Sequence, residues 1–226
     1  MIRLNKYIAN SGICTRKEAD VLISKGKIKV NHKVVNSLGF KVNKEDVVEY
    51  NGKVLKNEKL IYLALNKPKK LALSSFLEGI SMQELSIAGE FNENITGLVV
   101  LTNDKVLLSR LSISNAVIKQ KYILNLKENL SEQNLKELKK GVTIDKQHVV
   151  FDEVNYGKRG TDKTELVAVV SFTKHELIFK AIKQMENEIL YIDRVEFGGV
   201  KKGELARNKS RDLEPKEVGF LKMIKV

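Results

Sequence analysis

The sequence predicts an α+β protein: a small N-terminal helix–hairpin module, then a larger domain with a mainly antiparallel sheet and flanking helices. Three observations carry that expectation. The first 58 of 226 residues show two short helical stripes followed by hairpin patterns. From Leu60 onward, apolar strand-like runs alternate irregularly with amphipathic helical stretches, which suits an antiparallel sheet better than a regular crossover fold. Hydrophobic residues make up 42% of the chain, enough for packed cores and too many for wholesale disorder. The expected domains are 1–58 and 59–226, with hinge positions near Glu58-Lys59.

In the module, Leu4, Tyr7 and Ile8 form a helical stripe that ends at Ser11-Gly12. Thr15 with Glu18 three residues on predicts a capping box, each side chain satisfying a free backbone N–H of the first turn. Ala19, Leu22 and Ile23 form the apolar face of that second helix, and Gly26 suits its left-handed C-terminal position. Ile28 to Val30, a turn at Asn31-His32, and Val34-Val35 read as a hairpin. Val42, Val47 and Val48 suggest a further strand.

In the second domain, Ile61 to Leu65 is an apolar run stopped by Pro68. Gly97 to Leu101 reads as a buried strand ended by Thr102-Asn103-Asp104. Lys121 to Leu126 is a strand. Ser131 to Lys140 is a helix ending at Gly141, with Leu135 and Leu138 inside. Leu166 to Phe172 is a strand. Thr173 to Met185 is a helix with Leu177, Ile178, Ala181, Ile182 and Met185 inside, and Thr173 with Glu176 fits a second capping box. Ile189 to Phe197 is the last long strand.

Charge narrows the function. Lys and Arg number 40 against 28 Asp and Glu, a formal net charge of +12. The first 58 residues hold twelve Lys or Arg and six Asp or Glu, a net of +6 and half of the total. Arg16 and Lys17 fall in the first turn of the second helix, where the helix dipole disfavours cations, so an external anion is their natural partner. Lys25, Lys27 and Lys29 follow at the helix exit and on one strand face. Arg3 and Lys6 add to the same basic module. Such a surface favours polyanions through counterion release, whereas scattered lysines would serve solubility alone.

Other classes recede. No run of about 18 apolar residues predicts a membrane span. MIRLNKYIANSG lacks the continuous apolar core of a secretory signal. The single Cys14 excludes a disulfide framework and suits a reducing cytoplasm. Three scattered histidines argue against a His-based metal site, and no Gly-x-Gly-x-x-Gly, Gly-Lys-Ser/Thr or His-Glu-x-x-His pattern occurs. The expectation is no metal and no cofactor. His148 and His175 read as solvated or structural.

RLNKYIANSGICTRKEADVLISKGKIKVNHKVV resembles the small RNA-binding domain named for the fourth small-subunit ribosomal protein. The shared features are Thr15-Arg16, Glu18-Ala19, Leu22-Ile23, Gly26 and Val30-Asn31, with His32 where Gly is usual. The order of later motifs resembles the small-subunit-type rRNA pseudouridine synthases, which join that domain to an antiparallel α+β catalytic domain. Asn66-Lys67-Pro68-Lys69 matches their Asn-Lys-Pro-Lys, with Lys70 replacing Gly. Thr102-Asn103-Asp104, Lys121-Tyr122, Arg194 with Gly198, and Arg211 with Leu213 match further segments. The resemblance implies an RNA partner, ribosomal RNA or a ribosomal precursor, and no cofactor. It implies RNA contacts at Arg3, Lys6, Arg16, Lys17, Lys25, Lys27, Lys29, Lys67 and Lys69.

The central motif departs from that pattern. The family reads Gly-Arg-Leu-Asp-x-x-Ser/Thr-x-Gly-Leu, and its Asp is essential to the isomerisation. Residues 89–98 read GEFNENITGL, with Gly89, Gly97 and Leu98 in agreement. Glu90 stands at the Arg, Asn92 at the catalytic Asp and Ile95 at the Ser/Thr. Breaking and remaking a glycosidic bond needs a carboxylate as nucleophile or base; a neutral amide is neither. The family's arginine-rich helix is here His175, Glu176, Leu177, Ile178, Phe179, Lys180, Ala181, with Lys180 the one retained cation. Tyr122 is the counterpart of a tyrosine that stacks on the base, or else a plain sheet tyrosine.

The catalytic-site positions are therefore Asn92, Tyr122 and Lys180. The leading expectation is a cytoplasmic, monomeric RNA-binding protein whose isomerase activity is lost. An active synthase with a rearranged site, using Glu90 or Glu93, is the rival. A ribosome-associated scaffold is the third.

Overall fold

The computed structural model describes residues 1–57, 59–69, 85–113, 116–157 and 160–224. Glu58 at the expected hinge and Lys70 in the Pro68 segment lie outside them. The chain divides into two compact units, Met1–Ile61 with Asn103–Val106 and Tyr62–Thr102 with Leu107–Val226.

The first unit contains β1 (Ile2–Arg3), α1 (Leu4–Asn10), α2 (Arg16–Ser24), β2 (Ile28–Val30), β3 (Lys33–Val35), β4 (Lys41–Val42), β5 (Val48–Tyr50) and β6 (Lys53–Val54). Leu4, Ile8, Ala19, Ile23, Ile28 and Val48 share its core. The capping box forms as the sequence predicts. The Glu18 backbone N–H donates to Thr15 Oγ1 at 3.3 Å, and the Thr15 N–H donates to Glu18 Oε2 at 2.7 Å. Asn31 and His32 turn the hairpin with φ of 49° and 66°. That two-residue turn needs left-handed backbone at both positions, which is why glycine is favoured where His32 stands. The strand expected over Val42, Val47 and Val48 is instead two strands. A turn separates them, closed by the Asn43 N–H donating to Asp46 Oδ2 at 2.6 Å, so Val42 lies in β4, Val48 in β5 and Val47 between.

The second unit contains β7 (Tyr62–Lys67), β8 (Ser86–Ile87), β9 (Thr96–Thr102), α3 (Lys105–Leu111, from its Leu107), β10 (Gln120–Leu126), α4 (Glu132–Lys140), β11 (Val142–Ile144), β12 (Gln147–Val149), β13 (Glu153–Gly157), β14 (Asp162–Val170), α5 (Glu176–Gln184), β15 (Ile189–Phe197), β16 (Val200–Lys201), β17 (Ser210–Asp212) and α6 (Pro215–Met223). Nine strands form one sheet in the order β13-β14-β10-β15-β9-β7-β17, with β16 on β15 and β8 on β9. Among the described residues only the β9–β15 pair is parallel, so the sheet is mainly antiparallel, as expected.

Helices α4 and α5 bury Leu135, Leu138, Leu177, Ile178 and Ala181 against Leu124, Leu166, Ala168 and Ile192 of the sheet. A second core joins Leu98, Val100, Leu107, Leu111, Phe197 and Leu221. Two elements differ from expectation by three residues or more at one end. The first is α5, which starts at Glu176 with His175 as N-cap and no side-chain cap, so the Thr173–Glu176 capping box does not form. Glu176 instead pairs with Lys180 one turn on, at 2.6 Å. The second is β14, which begins at Asp162 and ends at Val170, where its ladder with β10 closes opposite Gln120.

Candidate functional site

The loop between β8 and β9 carries the central motif. Its conformation follows from local chemistry. Gly97 opens β9 with φ of 94°, and a Cβ there would lie 2.4 Å from the Arg194 carbonyl oxygen, so only glycine fits against β15. Asn92 is half-buried, and its Oδ1 accepts from the backbone N–H of Asn94 at 3.0 Å and of Ile95 at 3.2 Å. This is an Asx turn, in which the short amide substitutes for a backbone carbonyl. The Asn92 oxygen is thereby committed to its own loop.

Two buried cations hold the same loop. Lys67, at the end of β7, is 3% exposed, and its Nζ donates to the carbonyls of Glu93 at 3.2 Å and Ile95 at 3.3 Å. Burial lowers its pKa, and the nearby Glu93 charge works the other way. Arg194, on β15, is fully buried. Its Nη1 donates to the Glu90 carbonyl at 3.1 Å and its Nε to the Leu98 carbonyl at 2.8 Å. The Phe91 ring lies 4.5 Å from the Arg194 Cζ and 5.6 Å from Lys67 Nζ, within cation–π range of both.

Beneath Phe91, Gln120 Oε1 accepts from Arg194 Nη1 at 3.0 Å and from the Tyr122 hydroxyl at 2.7 Å. His175 Nε2 lies 3.3 Å from the same oxygen, which assigns the Nε2–H tautomer and leaves Nδ1 bare and without a partner among the described residues. Burial, then the Arg194 charge, pushes the His175 pKa down to about 3. Burial pushes the Tyr122 hydroxyl up to about 12. Both groups are neutral at pH 7 and enclosed, so neither is placed for proton transfer.

The acids of the loop are Glu90 and Glu93, both exposed. Partial burial raises the Glu90 pKa, with Lys174 opposing and Glu176 reinforcing. Among the described residues no group of three or more His, Cys, Asp or Glu could hold a metal ion. No helix among them is long and apolar enough to cross a membrane.

In the first unit, Arg3, Lys6, Arg16, Lys17, Lys25, Lys27 and Lys29 are all exposed. Arg3, Lys6 and Arg16 line one depression of about 400 Å³ together with Met1, Ile2 and Asn5.

The model of the S4 domain matches residues 2–48. Ribosomal large subunit pseudouridine synthase B of Bacillus subtilis is 27% identical, over 99% of this chain and 97% of its own. Ribosomal small subunit pseudouridine synthase A of Vibrio vulnificus is 24% identical, over 97% of this chain and 96% of its own. A crystal structure of a pseudouridylate synthase shares the fold, with a TM-score of 0.67 at 21% identity over 98% of this chain and 100% of that one. Over nearly its whole length the chain is similar to these two ribosomal pseudouridine synthases.

For a relative of these synthases, three expected site residues are placed differently from expectation. Tyr122 is fully buried, with its ring edge-on to His175 and its hydroxyl on Gln120, so it offers no open face to a base. Lys67 does not present its ammonium to RNA, because three backbone carbonyls, those of Pro68, Glu93 and Ile95, enclose it. Lys180 stands on the outer surface of α5 between Asp145 at 2.7 Å and Glu176 at 2.6 Å, which raise its pKa. It is not brought to the loop of Asn92 by any of these contacts. Lys69 is exposed, and its Nζ donates to the Leu190 carbonyl at 3.4 Å. Arg194 and Gln120 are the residues that sequence reasoning left without a role. A buried arginine amid apolar strand residues was the available signal.

Proposed function

We infer that this protein binds ribosomal RNA or a ribosomal precursor through its S4 domain and does not isomerise uridine. The observation that carries this reading is the Asn92 side chain, a neutral amide whose oxygen is hydrogen-bonded to the N–H groups of Asn94 and Ile95. A carboxylate acting as nucleophile or base would have to leave such bonds; an amide has no lone pair of useful basicity even then. The groups around it reinforce the point in part: Tyr122 and His175 are buried and neutral, and Arg194 gives its Nε and Nη1 to backbone carbonyls and Gln120, while its buried Nη2 has no partner among the described residues. Losing one member of a catalytic unit costs about 10⁴-fold or more in rate.

In this reading residues 1–58 act as the RNA-binding module and 59–226 retain the synthase architecture. Arg3, Lys6, Arg16, Lys17, Lys25, Lys27 and Lys29 contact phosphates, with Lys69 contributing from the second domain. The protein acts in the cytoplasm as a monomer, in ribosome assembly or in protecting an RNA site. Pseudouridine mapping of ribosomal RNA from cells with and without the protein tests it. Identical maps are expected, together with salt-sensitive binding to ribosomal RNA fragments; a uridine modified only when the protein is present would overturn the reading.

A second reading has one observation in its favour. The Glu90 carboxyl is raised by partial burial, as a general acid–base residue would be. It would make the protein an active synthase with a displaced carboxylate, and Glu90→Gln would then abolish turnover.

A further inference from the structure

On the sheet face opposite Arg194, Tyr191 and Asp193 of β15 stand two residues apart and so point the same way. Arg207, from the segment between β16 and β17, reaches this face. Its Nη1 donates to Asn66 Oδ1 at 2.7 Å, to the Lys67 carbonyl at 3.0 Å and to Asp193 Oδ1 at 3.0 Å. Its Nη2 donates to the Tyr191 hydroxyl at 2.5 Å, and its Cζ lies 6.0 Å from the centre of the Tyr191 ring. Four acceptors therefore hold one guanidinium, yet the Arg207 side chain is still 37% exposed. Asp193 is the anchor: its side chain is 7% exposed, it accepts from Thr96 Oγ1 at 2.9 Å, and it also pairs with Lys202.

A buried ion pair returns little net stability over apolar packing of similar size, because two charges must leave water. What the cluster does produce is a planar cation and an aromatic ring, locked together and half-open, with one carboxylate against two cations. Nucleobases stack on aromatic rings and guanidinium planes with little regard to sequence. Bases in a duplex are already covered on both faces, so such a surface selects unpaired ones. Its position is also informative. Arg207 binds the Lys67 carbonyl, and Lys67 Nζ holds the Glu93 and Ile95 carbonyls of the loop that carries Asn92.

We propose that Tyr191 and Arg207 form a stacking platform for one unpaired base of a bound RNA strand, beside the loop of Asn92. This rests on the RNA-binding reading above and adds to it the single-stranded character of the RNA at the second domain. The lock explains the choice of residues: Asp193, Asn66 and the tyrosine hydroxyl set the guanidinium plane before RNA arrives, so little side-chain entropy is lost on binding.

The test uses the full chain and a single-stranded RNA of about twelve nucleotides carrying 2-aminopurine, with its duplex as control, within the usual site sizes of such proteins. Tyr191→Leu is expected to weaken single-strand binding about tenfold and to abolish quenching of the 2-aminopurine, while duplex binding changes less than about twofold. Tyr191→Phe, which keeps the ring, should retain the quenching. Arg207→Lys, which keeps the charge but not the plane, should lose most of it, and serves as the second variant if Tyr191→Leu folds poorly. Unchanged single-strand affinity and quenching in Tyr191→Leu and Arg207→Lys would overturn the platform while leaving the RNA-binding reading intact. An equal loss for inorganic polyphosphate in Tyr191→Leu would also overturn it, since charge alone would then be at work. Failure of the wild-type chain to bind either RNA would instead count against the RNA-binding reading.

Discussion

Asn92 accepts a hydrogen bond from the backbone N–H of Ile95, 3.2 Å away, and so closes the turn that leads into β9. An aspartate at position 92 has the same reach and the same acceptor oxygen. Asn92→Asp should therefore fold normally, with stability changed by less than about 0.5–1 kcal/mol. It should recover less than about one per cent of the turnover of an active synthase, because Lys67 is enclosed by carbonyls and Arg194, held through Nε and Nη1 by carbonyls and Gln120, keeps only a buried Nη2 without a partner among the described residues. Chemical unfolding and an isomerisation assay on the same preparation check both halves.

The buried His175 sets an acid limit on stability. Its pKa is about 6.5 when unfolded and about 3 when folded, so between these values the unfolded state holds the extra proton. Acid therefore favours unfolding, and stability falls as pH drops from about 6.5 toward about 3, by about 1.4 kcal/mol per pH unit at most from this residue. His175→Phe should flatten that slope. Urea midpoints at several pH values across the window provide the comparison.

His32 sits in the left-handed region with φ of 66°, where a side chain is strained. His32→Gly should stabilise the first unit by about 0.5–1 kcal/mol, despite losing the contact between the exposed His32 ring and the partly buried Glu49. A higher thermal midpoint for that unit is the expected readout. Thr15→Ala should act in the opposite direction by about 1 kcal/mol, since it removes the acceptor for the Glu18 N–H.

Arg16 and Lys17 are exposed in the first turn of α2. If each makes one phosphate contact, Arg16→Ala and Lys17→Ala should each lower the salt slope of RNA binding by about one unit. A scaffold without RNA contacts at these residues would show no change in slope, which titration at several salt concentrations decides.

Local chemistry was legible in the sequence. Thr15 with Glu18, Gly26 and the Asn31-His32 turn involve neighbours in the chain, so their residue types report their conformations. One long strand was legible to the residue, Ile189–Phe197, whereas β14 lies at Asp162–Val170 instead of Leu166 to Phe172. The second helix entry was not, because Thr173 and Glu176 fit a capping box locally while the burial of His175 under Phe91 and beside Tyr122 decides where α5 begins. The site divides in the same way. Asn92 was found by its place in a motif. The enclosure of Lys67, the burial of Tyr122 and the Arg207–Tyr191 pair arise from residues far apart in the chain, brought together only when β7, β9, β10 and β15 assemble. The +12 charge agrees with the match to the S4 domain, but it could not separate exposed cations from Lys67 and Arg194, which the sheet buries.

We infer that the chain keeps the synthase fold without its chemistry. Tritium release from ribosomal RNA labelled at carbon five of uridine tests it most directly, with purified wild-type protein at stoichiometric excess and an active synthase on the same RNA as control. The account predicts release at the background of protein-free RNA for the wild type, for Asn92→Asp and for Glu90→Gln. Release by the wild type that Glu90→Gln abolishes would contradict it and establish an enzyme with a displaced carboxylate.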